Sequence, residues 1–326
     1  MPILLTEHDV KALLTMDDLI EAMGTALADF SAGTVTQPLR TVLEVGQRKS
    51  FYGLMPAYMP SRPALGTKLV TVFEGNPERG LTTHLATIIL LDPETGALLA
   101  LMDGRYITEA RTAAVSAVSV RHLARKEASV LAIIGTGVQA RSHLEAIARV
   151  RSLTDVRVWS PNAARVAGFV ADMTSVSAAP ITAAPTAEQA VQGADIVVLV
   201  TSAKEPVVRS EWIADGTHIC AVGACRPTQR EMQAALVARA DLYVDSREAA
   251  LIEAGDIVLA IRDGAIDARH IKGELGEVVT GGGLAQRDPG SVTIFKSLGL
   301  AVEDVATAHL AYQRARQREV GSSFSL

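Results

Sequence analysis

Cysteine is close to absent: Cys220 and Cys225 are the only two in the chain. Two thiols rule out a disulfide scaffold. The opening MPILLTEHDV meets charge at Glu7 and has no signal-peptide profile, so the thiols read as reduced groups of a cytoplasmic protein. Metal-binding patterns are missing as well. The seven histidines are dispersed, with no HxxxH or CxxC spacing, and no metal site is expected. No apolar run approaches the ~18 residues of a membrane span. There is no basic excess either: the net charge is -5, Lys and Arg are scattered, and a nucleic-acid surface is not expected. Internal repeats and low-complexity linkers are also lacking.

What remains is ample material for a core. With 326 residues, 48% of them hydrophobic, the chain predicts two domains or one large domain carrying an insertion. Its organising stretch is Ser129 to Arg141, SVLAIIGTGVQAR. Val130 to Ile134 suits a strand buried on both faces. Then come Gly135, Thr136, Gly137, Val138, Gln139 and Ala140, followed by helical apolar spacing at Leu144, Ile147 and Ala148. Strand, GxGxxA and helix in that order form the dinucleotide fingerprint. Gly135 permits the tight turn, Gly137 lets a pyrophosphate approach the backbone, and Ala140 allows close helix–strand packing. The first-turn N–H groups and the helix dipole then hold the phosphates. An ordinary glycine-rich turn is the plain alternative, but further βα units follow, which favours the nucleotide reading.

Along the chain, residues 1–33 read as helical. Thr6 and Thr15 are N-caps with Asp9 and Asp18 three residues on, and Leu19, Ala22, Met23, Ala26, Leu27 and Phe30 form an apolar stripe. From Gln37 to Leu101 short alternating strands follow, with a hairpin turn at Asp92 to Gly96. A helix is predicted over Thr108 to Leu123. From residue 129 to 299 β and α alternate, with strands expected at 130–134, 155–159, 195–200, 218–222 and 241–245. The fold class is therefore α/β: a Rossmann-type, doubly wound parallel sheet beside an α+β unit on an antiparallel sheet. Thr280 to Gly283 reads as a flexible loop, 297–318 as a last helix, and 321–326 as a frayed tail.

The end of the second Rossmann strand bears on cofactor choice. An acid there would bond the ribose 2′-hydroxyl and repel a 2′-phosphate. Here Trp159 is followed by Ser160, Pro161 and Asn162, with Arg165 opening the next helix. Without a carboxylate, NADPH is favoured over NADH, Ser160, Asn162 and Arg165 being the phosphate contacts. The alternative for Arg165 is a solvated helix charge.

In this order, Gln37-Pro-Leu-Arg40-Thr41, Met55-Pro-Ala-Tyr58, Thr67-Lys68-Leu-Val-Thr71, Met102-Asp-Gly104, Arg111-Thr-Ala-Ala114, GTGVQA, Ala221-Val-Gly-Ala224, Tyr243-Val-Asp245-Ser246, Gly276-Glu277 and Phe295-Lys-Ser-Leu-Gly299 carry a resemblance. The chain resembles the ornithine cyclodeaminase/mu-crystallin family along nearly its full length. The resemblance implies a substrate-binding and dimerising domain over 1–118, completed by 300–326, an NAD(P)-binding Rossmann domain over 119–299, and an active site between them. It implies a homodimer. It also implies substrate contacts by Arg40, Lys68 and Arg111, with Glu253 matching a ligand-proximal glutamate of the mu-crystallin branch. Thr112 matches a position near the cofactor phosphates, and Thr83, His84, Thr201, Val222 and Ser297 match other cofactor or pocket contacts.

One departure separates the family's chemistries. Ornithine cyclodeaminases carry an aspartate just after the AVG strand, whereas this chain reads Ala224-Cys225-Arg226-Pro227. A thiol does not replace a carboxylate base near pH 7 without a strongly depressed pKa. The sequence therefore sits closer to the ketimine reductase branch. The expected reaction is NAD(P)H-dependent reduction of small ketimines or cyclic imino acids, such as pyrroline-2-carboxylate or piperideine-2-carboxylate. Alternatives are an amino-acid dehydrogenase, an ammonia-releasing cyclodeaminase with catalytic NAD, and a non-catalytic nucleotide-dependent ligand-binding protein. The residues make sense on chemical grounds alone. Arg111 offers a bidentate fork for a carboxylate, with Arg40 a second clamp. Lys68, near two guanidiniums, could trade a proton near neutral pH.

Overall fold

The computed structural model describes residues 1–46, 50–281, 288 and 290–325. They form two compact units: Met1–Arg111 with Gly299–Leu326, and Thr112–Leu298.

The first unit is built on one sheet. Its strands are β1 (Ile3–Leu5), β2 (Thr41–Val45), β3 (Ser50–Met59), β4 (Ala64–Val72), β5 (His84–Leu91) and β6 (Leu98–Asp103). A tail strand, Ser322–Ser323, lies at one edge, and the order runs tail, β1, β6, β5, β4, β3, β2. Strands β2 to β6 pair antiparallel, while β1 runs parallel to β6. Helices α1 (Glu7–Leu13) and α2 (Met16–Ser31) start where the sequence places their caps. The Thr6 hydroxyl accepts from the Asp9 N–H and the Asp9 carboxylate accepts from the Thr6 N–H, a reciprocal box that satisfies two end donors. Leu19, Ile20, Met23, Ala26 and Leu27 bury one face of α2. The C-terminal helix, Ala301–Arg318, packs on α2 and on β3, β4 and β5.

Two expectations for this unit are corrected. Residues 1–33 are not all helical, because Ile3 and Leu5 are buried in a strand paired with β6. Three residues are too few for a period of two to stand out from helical spacing. Ser322 and Ser323 of the tail are not frayed but pair with Leu4 and Ile3, on the β1 edge that would otherwise be open, and Leu326 lies outside the described residues.

Helix α3 (Arg105–Leu123) has its first residues in the first unit and its last in the second. It begins three residues before the predicted Thr108, because Asp103 accepts from the N–H groups of Arg105 and Tyr106.

The second unit carries a parallel sheet. Its strands are β7 (Val130–Ile134), β8 (Asp155–Trp159), β9 (Ile181–Ala183), β10 (Ile196–Leu199), β11 (His218–Ala221), β12 (Asp241–Val244), β13 (Ile271–Glu274) and β14 (Thr293–Lys296). The order is β13-β12-β14-β11-β10-β7-β8-β9. Residues along β7 alternate between two cores. Leu131 and Ile133 join Leu144, Ile147 and Phe169 of helices α4 (Val138–Val150) and α5 (Ala163–Met173). Ala132 and Ile134 join Val237 and Ile257 on the opposite face. A strand buried on both faces is what a doubly wound sheet requires. The five expected strands are present within a residue or two, and β9, β13 and β14 were not foreseen. Ile271-Lys-Gly-Glu274 is too polar to read as a strand, and Thr293 to Lys296 is too short to stand apart from the helix expected at 297, which begins at Ala301. Thr280 ends a short helix, Leu275–Val279, and of the loop expected there Gly282 and Gly283 lie outside the described residues.

Candidate active-site residues

Within the first unit, three elements bring charge together. Lys68 lies on β4, on the face that also buries Ala64 and Gly66. Arg111 lies on α3, and Glu303 and Asp304 sit in the first turn of the C-terminal helix. Asp304 joins the two cations: Oδ2 is 2.5 Å from Lys68 Nζ and Oδ1 accepts from Arg111 Nε at 3.0 Å. Arg111 Nη1 donates to Glu303 Oε2 at 2.5 Å. Lys68 is 2% exposed and both acids 0%, so these charges are held by one another rather than by water. Burial pushes the Lys68 ammonium down to about 8; Asp304 resists, and Arg111 and Arg40 add to the fall. Burial works to raise the Asp304 carboxyl, but Arg111 and Lys68 outweigh it and hold it below its ordinary range.

The neighbouring chain keeps this cluster in place. Gln37 accepts from the Val302 N–H through its side-chain oxygen at 2.8 Å, capping a helix whose own cap residue, Leu300, offers no side-chain bond. That bond ties the QPLR segment, and so half-buried Arg40, to the helix carrying Glu303 and Asp304. Gly299 has φ +83°, and a Cβ there would overlap the Arg111 guanidinium, so only glycine leaves room for it. His84 opens β5, where burial, reinforced by the charges of Lys68 and Arg111, pushes its imidazole down to about 4. It is neutral at pH 7. Thr83, half-buried beside it, accepts from the Phe73 N–H through its carbonyl.

Glu303 and Asp304 escaped the sequence reading. Two acids in a helix's first turn look like ordinary dipole partners. The available signal was register: Asp304 falls in line with Ala308, Ala311 and Ala315, and all four are buried. A carboxylate on an apolar stripe needs a buried partner.

In the second unit the glycine turn has the expected form. Gly135 has φ +129°, and a Cβ there would meet the Val200 carbonyl at 2.7 Å. Gly137 is the N-cap of α4, makes no side-chain cap bond, and has nothing within 4 Å of an added Cβ. The open space over Gly137 and the uncapped first turn fit a phosphate. Thr136 and Gln139 are half-buried and Val138 is exposed. At the end of β8, Asn162 spends its side-chain oxygen capping α5, accepting from the Arg165 N–H at 3.1 Å. The Ser160 hydroxyl accepts weakly from the Asn162 N–H at 3.5 Å. Arg165 is exposed, and among the described residues it is in no ion pair. Thr112 is buried at the start of this unit. Thr201 follows β10, Val222 follows β11 and Ser297 follows β14. The Ser297 Oγ is buried with no hydrogen-bond partner among the described residues, an orphan that a bound polar group would satisfy. Cys225 donates its S–H to the Val222 carbonyl at 2.9 Å. Glu253 is half-buried at the end of the helix Arg247–Glu253, in the second unit and not in the unit that holds Lys68 and Arg111. No group of three or more His, Cys, Asp or Glu among the described residues could hold a metal, and no described helix is long and apolar enough to cross a membrane.

The sequence pattern of the ornithine cyclodeaminase/mu-crystallin family matches residues 1–319. The chain belongs to this family. Among its relatives, the ketimine reductase mu-crystallin of Rattus norvegicus is 44% identical over 297 residues, covering 90% of this chain and 91% of its own. The solved structure of Thermococcus litoralis Δ1-pyrroline-2-carboxylate reductase, in complex with NADH and L-proline, is 39% identical, with a TM-score of 0.96 over 99% of this chain and 100% of its own. An archaeal alanine dehydrogenase dimer with bound NAD is 34% identical, with a TM-score of 0.94 over 99% of this chain. Members of the ornithine cyclodeaminase/mu-crystallin family thus include named reductases and dehydrogenases of this fold.

Proposed function

We propose that the chain is an NAD(P)H-dependent reductase that converts small imino acids, cyclic ketimines foremost, to amino acids. The observation that carries the reading is the buried cluster on the first unit. Asp304 and Glu303 hold Lys68 and Arg111, and Arg40 lies near enough to add its charge to theirs. A substrate carboxylate suits this group of cations. On this reading Arg111, its plane fixed by the two acids, and Arg40 bind that carboxylate. Lys68 holds a proton for the imine nitrogen and surrenders it as the amine forms. The first unit is then the substrate-binding and dimerising domain and the second the cofactor domain, with Gly135 to Gln139, Thr83, Thr112, Thr201, Val222 and Ser297 as cofactor contacts and Glu253 a further ligand contact. When bound, the dinucleotide supplies the hydride. Assays of NADPH and NADH consumption with pyrroline-2-carboxylate and piperideine-2-carboxylate, beside ammonia release from ornithine, test it. Turnover of an imine with oxidation of the cofactor is expected. Ammonia and proline from ornithine with no net cofactor change would replace the reading with cyclodeamination. Cys225, whose thiol is turned back to Val222, argues against that outcome.

A pH dependence follows from Lys68. The protonated form, needed for imine reduction, predominates below the lowered value of about 8. kcat/KM for imine reduction should be level below that pH and fall about tenfold per unit above it. Measuring two imines of different nitrogen basicity separates the enzyme's group from the substrate's. A profile flat to pH 10 with both would remove Lys68 as the proton source.

NADPH is the favoured cofactor, on the absence of an acid at the end of β8. Ser160→Asp should shift the NADPH to NADH preference in kcat/KM toward NADH by tenfold or more, about 1.4 kcal/mol. A wild type that strongly prefers NADH would refute a phosphate pocket of Ser160, Asn162 and Arg165. The proposed assembly is a homodimer. Strand β2 is the outer strand of its sheet, and Val42, Leu43 and Val45 are 48%, 53% and 40% exposed. An apolar outer strand bare on both faces suits burial against a second copy. The free thiols suit a reducing compartment, the cytoplasm.

A further inference from the structure

The second unit buries a charged cluster that the proposed chemistry does not use. Glu231, Asp256 and Lys296 are 0%, 1% and 0% exposed. Lys296 Nζ lies 3.5 Å from Asp256 Oδ2. Asp256 Oδ1 accepts from the N–H groups of Glu231 and Met232 at 2.8 and 3.0 Å, which fixes the Glu231 backbone. The Glu231 side chain then reaches two strand ends. Its Oε1 accepts from both the N–H and the hydroxyl of Thr201, each at 2.7 Å, and its Oε2 accepts from the Gly223 N–H at 2.8 Å. Thr201 follows β10 and Gly223 follows β11. A Cβ on Gly223 would overlap the Thr201 carbonyl and crowd the Glu231 carboxylate, so the two loops are drawn into direct contact.

Where these loops lie in the sheet gives the clamp its meaning. Ile134, Leu199, Ala221 and Lys296 are in register across β7, β10, β11 and β14, so the chain leaves all four strands at one level. The phosphate turn follows β7. The residues expected to meet the adenosine ribose follow β8, on one side of it. A dinucleotide centred on that turn extends its other half across β10 and β11, over Thr201 and Gly223. The orphaned Ser297 hydroxyl follows β14 on that same side.

We propose that Glu231 is the positioning residue for the nicotinamide half of the cofactor, locking the loops after β10 and β11 into one binding surface. A fully buried carboxylate at the junction of two loops costs desolvation unless both its oxygens are hydrogen-bonded, and here three donors from those loops bond the two of them. Lys296 and Asp256 hold the electrostatic balance: burial raises the Glu231 carboxyl, Lys296 opposes that rise and Asp256 adds to it. The inference rests on the dinucleotide reading of the glycine turn.

The test compares whole and half ligands on the full chain. Dissociation constants are measured for NADH against ADP-ribose, and for NADPH against 2′-phospho-ADP-ribose, by fluorescence and calorimetry. Glu231→Gln keeps the shape but presents an amide N–H to one of the donors. It should weaken binding of the whole dinucleotide at least tenfold and leave the half-ligand within twofold. Gly223→Ala, which parts the same loops and crowds the carboxylate without changing any charge, should do likewise, and it decides the matter where the glutamine variant does not fold. A parallel loss of both ligands would make Glu231 a general structural residue and overturn the proposal, as would unchanged binding of both. A wild type that binds neither NADH nor NADPH would overturn the dinucleotide reading itself, and this inference with it.

Discussion

Asp304→Asn is expected to abolish most of the activity while leaving the second unit intact. Asp304 contacts both Lys68 Nζ and Arg111 Nε, at 2.5 and 3.0 Å. The amide keeps the volume and removes the charge. Lys68 then sits buried with Arg111 and Arg40 and without its closest carboxylate, and its ammonium loses the main influence that resists deprotonation. The proton that the imine needs is gone at neutral pH. A fall in kcat/KM of at least about a hundredfold, roughly 2.7 kcal/mol, is expected, with the fall in rate moving to lower pH. Removing one partner of a buried ion pair typically costs about 3–5 kcal/mol of stability, so thermal unfolding must be followed alongside. An active variant with an unchanged pH profile would show that Asp304 does not set the state of Lys68.

The second large effect concerns Arg111. Arg111→Ala leaves Glu303 and Asp304 buried without their guanidinium, and a loss of stability of about 3–5 kcal/mol follows from that alone. A collapse of activity in this variant therefore does not by itself identify a carboxylate clamp. Arg111→Lys separates the two effects. It keeps one positive charge against the acids and loses the planar fork. A substrate carboxylate held by that fork should lose about 2–5 kcal/mol of transition-state binding, read as kcat/KM on a carboxylated imine. Cofactor affinity should stay within about threefold, since the proposed role of Arg111 is to hold the substrate carboxylate and not the dinucleotide. Unchanged kcat/KM in a folded Arg111→Lys variant would remove Arg111 from substrate binding.

The residues differ in how openly the sequence announces them. The glycine turn was legible because its backbone requirements are local. A strand, Gly135, Gly137 and the start of α4 lie within a dozen residues, and each answers a backbone requirement that only certain residues meet. The N-caps at Thr6 and Thr15 were legible for the same reason. Lys68 and Arg111 could be singled out by resemblance, but their acidic partners could not be paired with them. The bonds of Asp304 to Lys68 and Arg111 span more than half the chain, and the local signal, its register with Ala308, Ala311 and Ala315, calls for a buried partner without saying which. Glu231 is hidden in another way. It sits among polar residues in Thr228-Gln-Arg-Glu-Met and becomes a clamp only because Asp256 holds its backbone and two parallel strands end beside it. Strands β13 and β14 were missed because parallel sheets accept short strands whose partners are distant in sequence, and the alternation that marks a half-buried strand is absent.

The ion pairs of the first unit impose an order on the emerging chain. Lys68 and Arg111 leave the ribosome about two hundred residues before Glu303 and Asp304. Until the last helix is made, Lys68 and Arg111 lack Asp304 and Glu303, and closing the sheet would bury them without these partners. The second unit, one unbroken stretch from Thr112 to Leu298, has no such wait. Synthesis therefore favours a nascent chain in which the second unit folds while the segment before it is still open, contrary to the usual N-terminal-first sequence. The buried ion pairs of the first unit are then assembled last, in the same event that completes the fold.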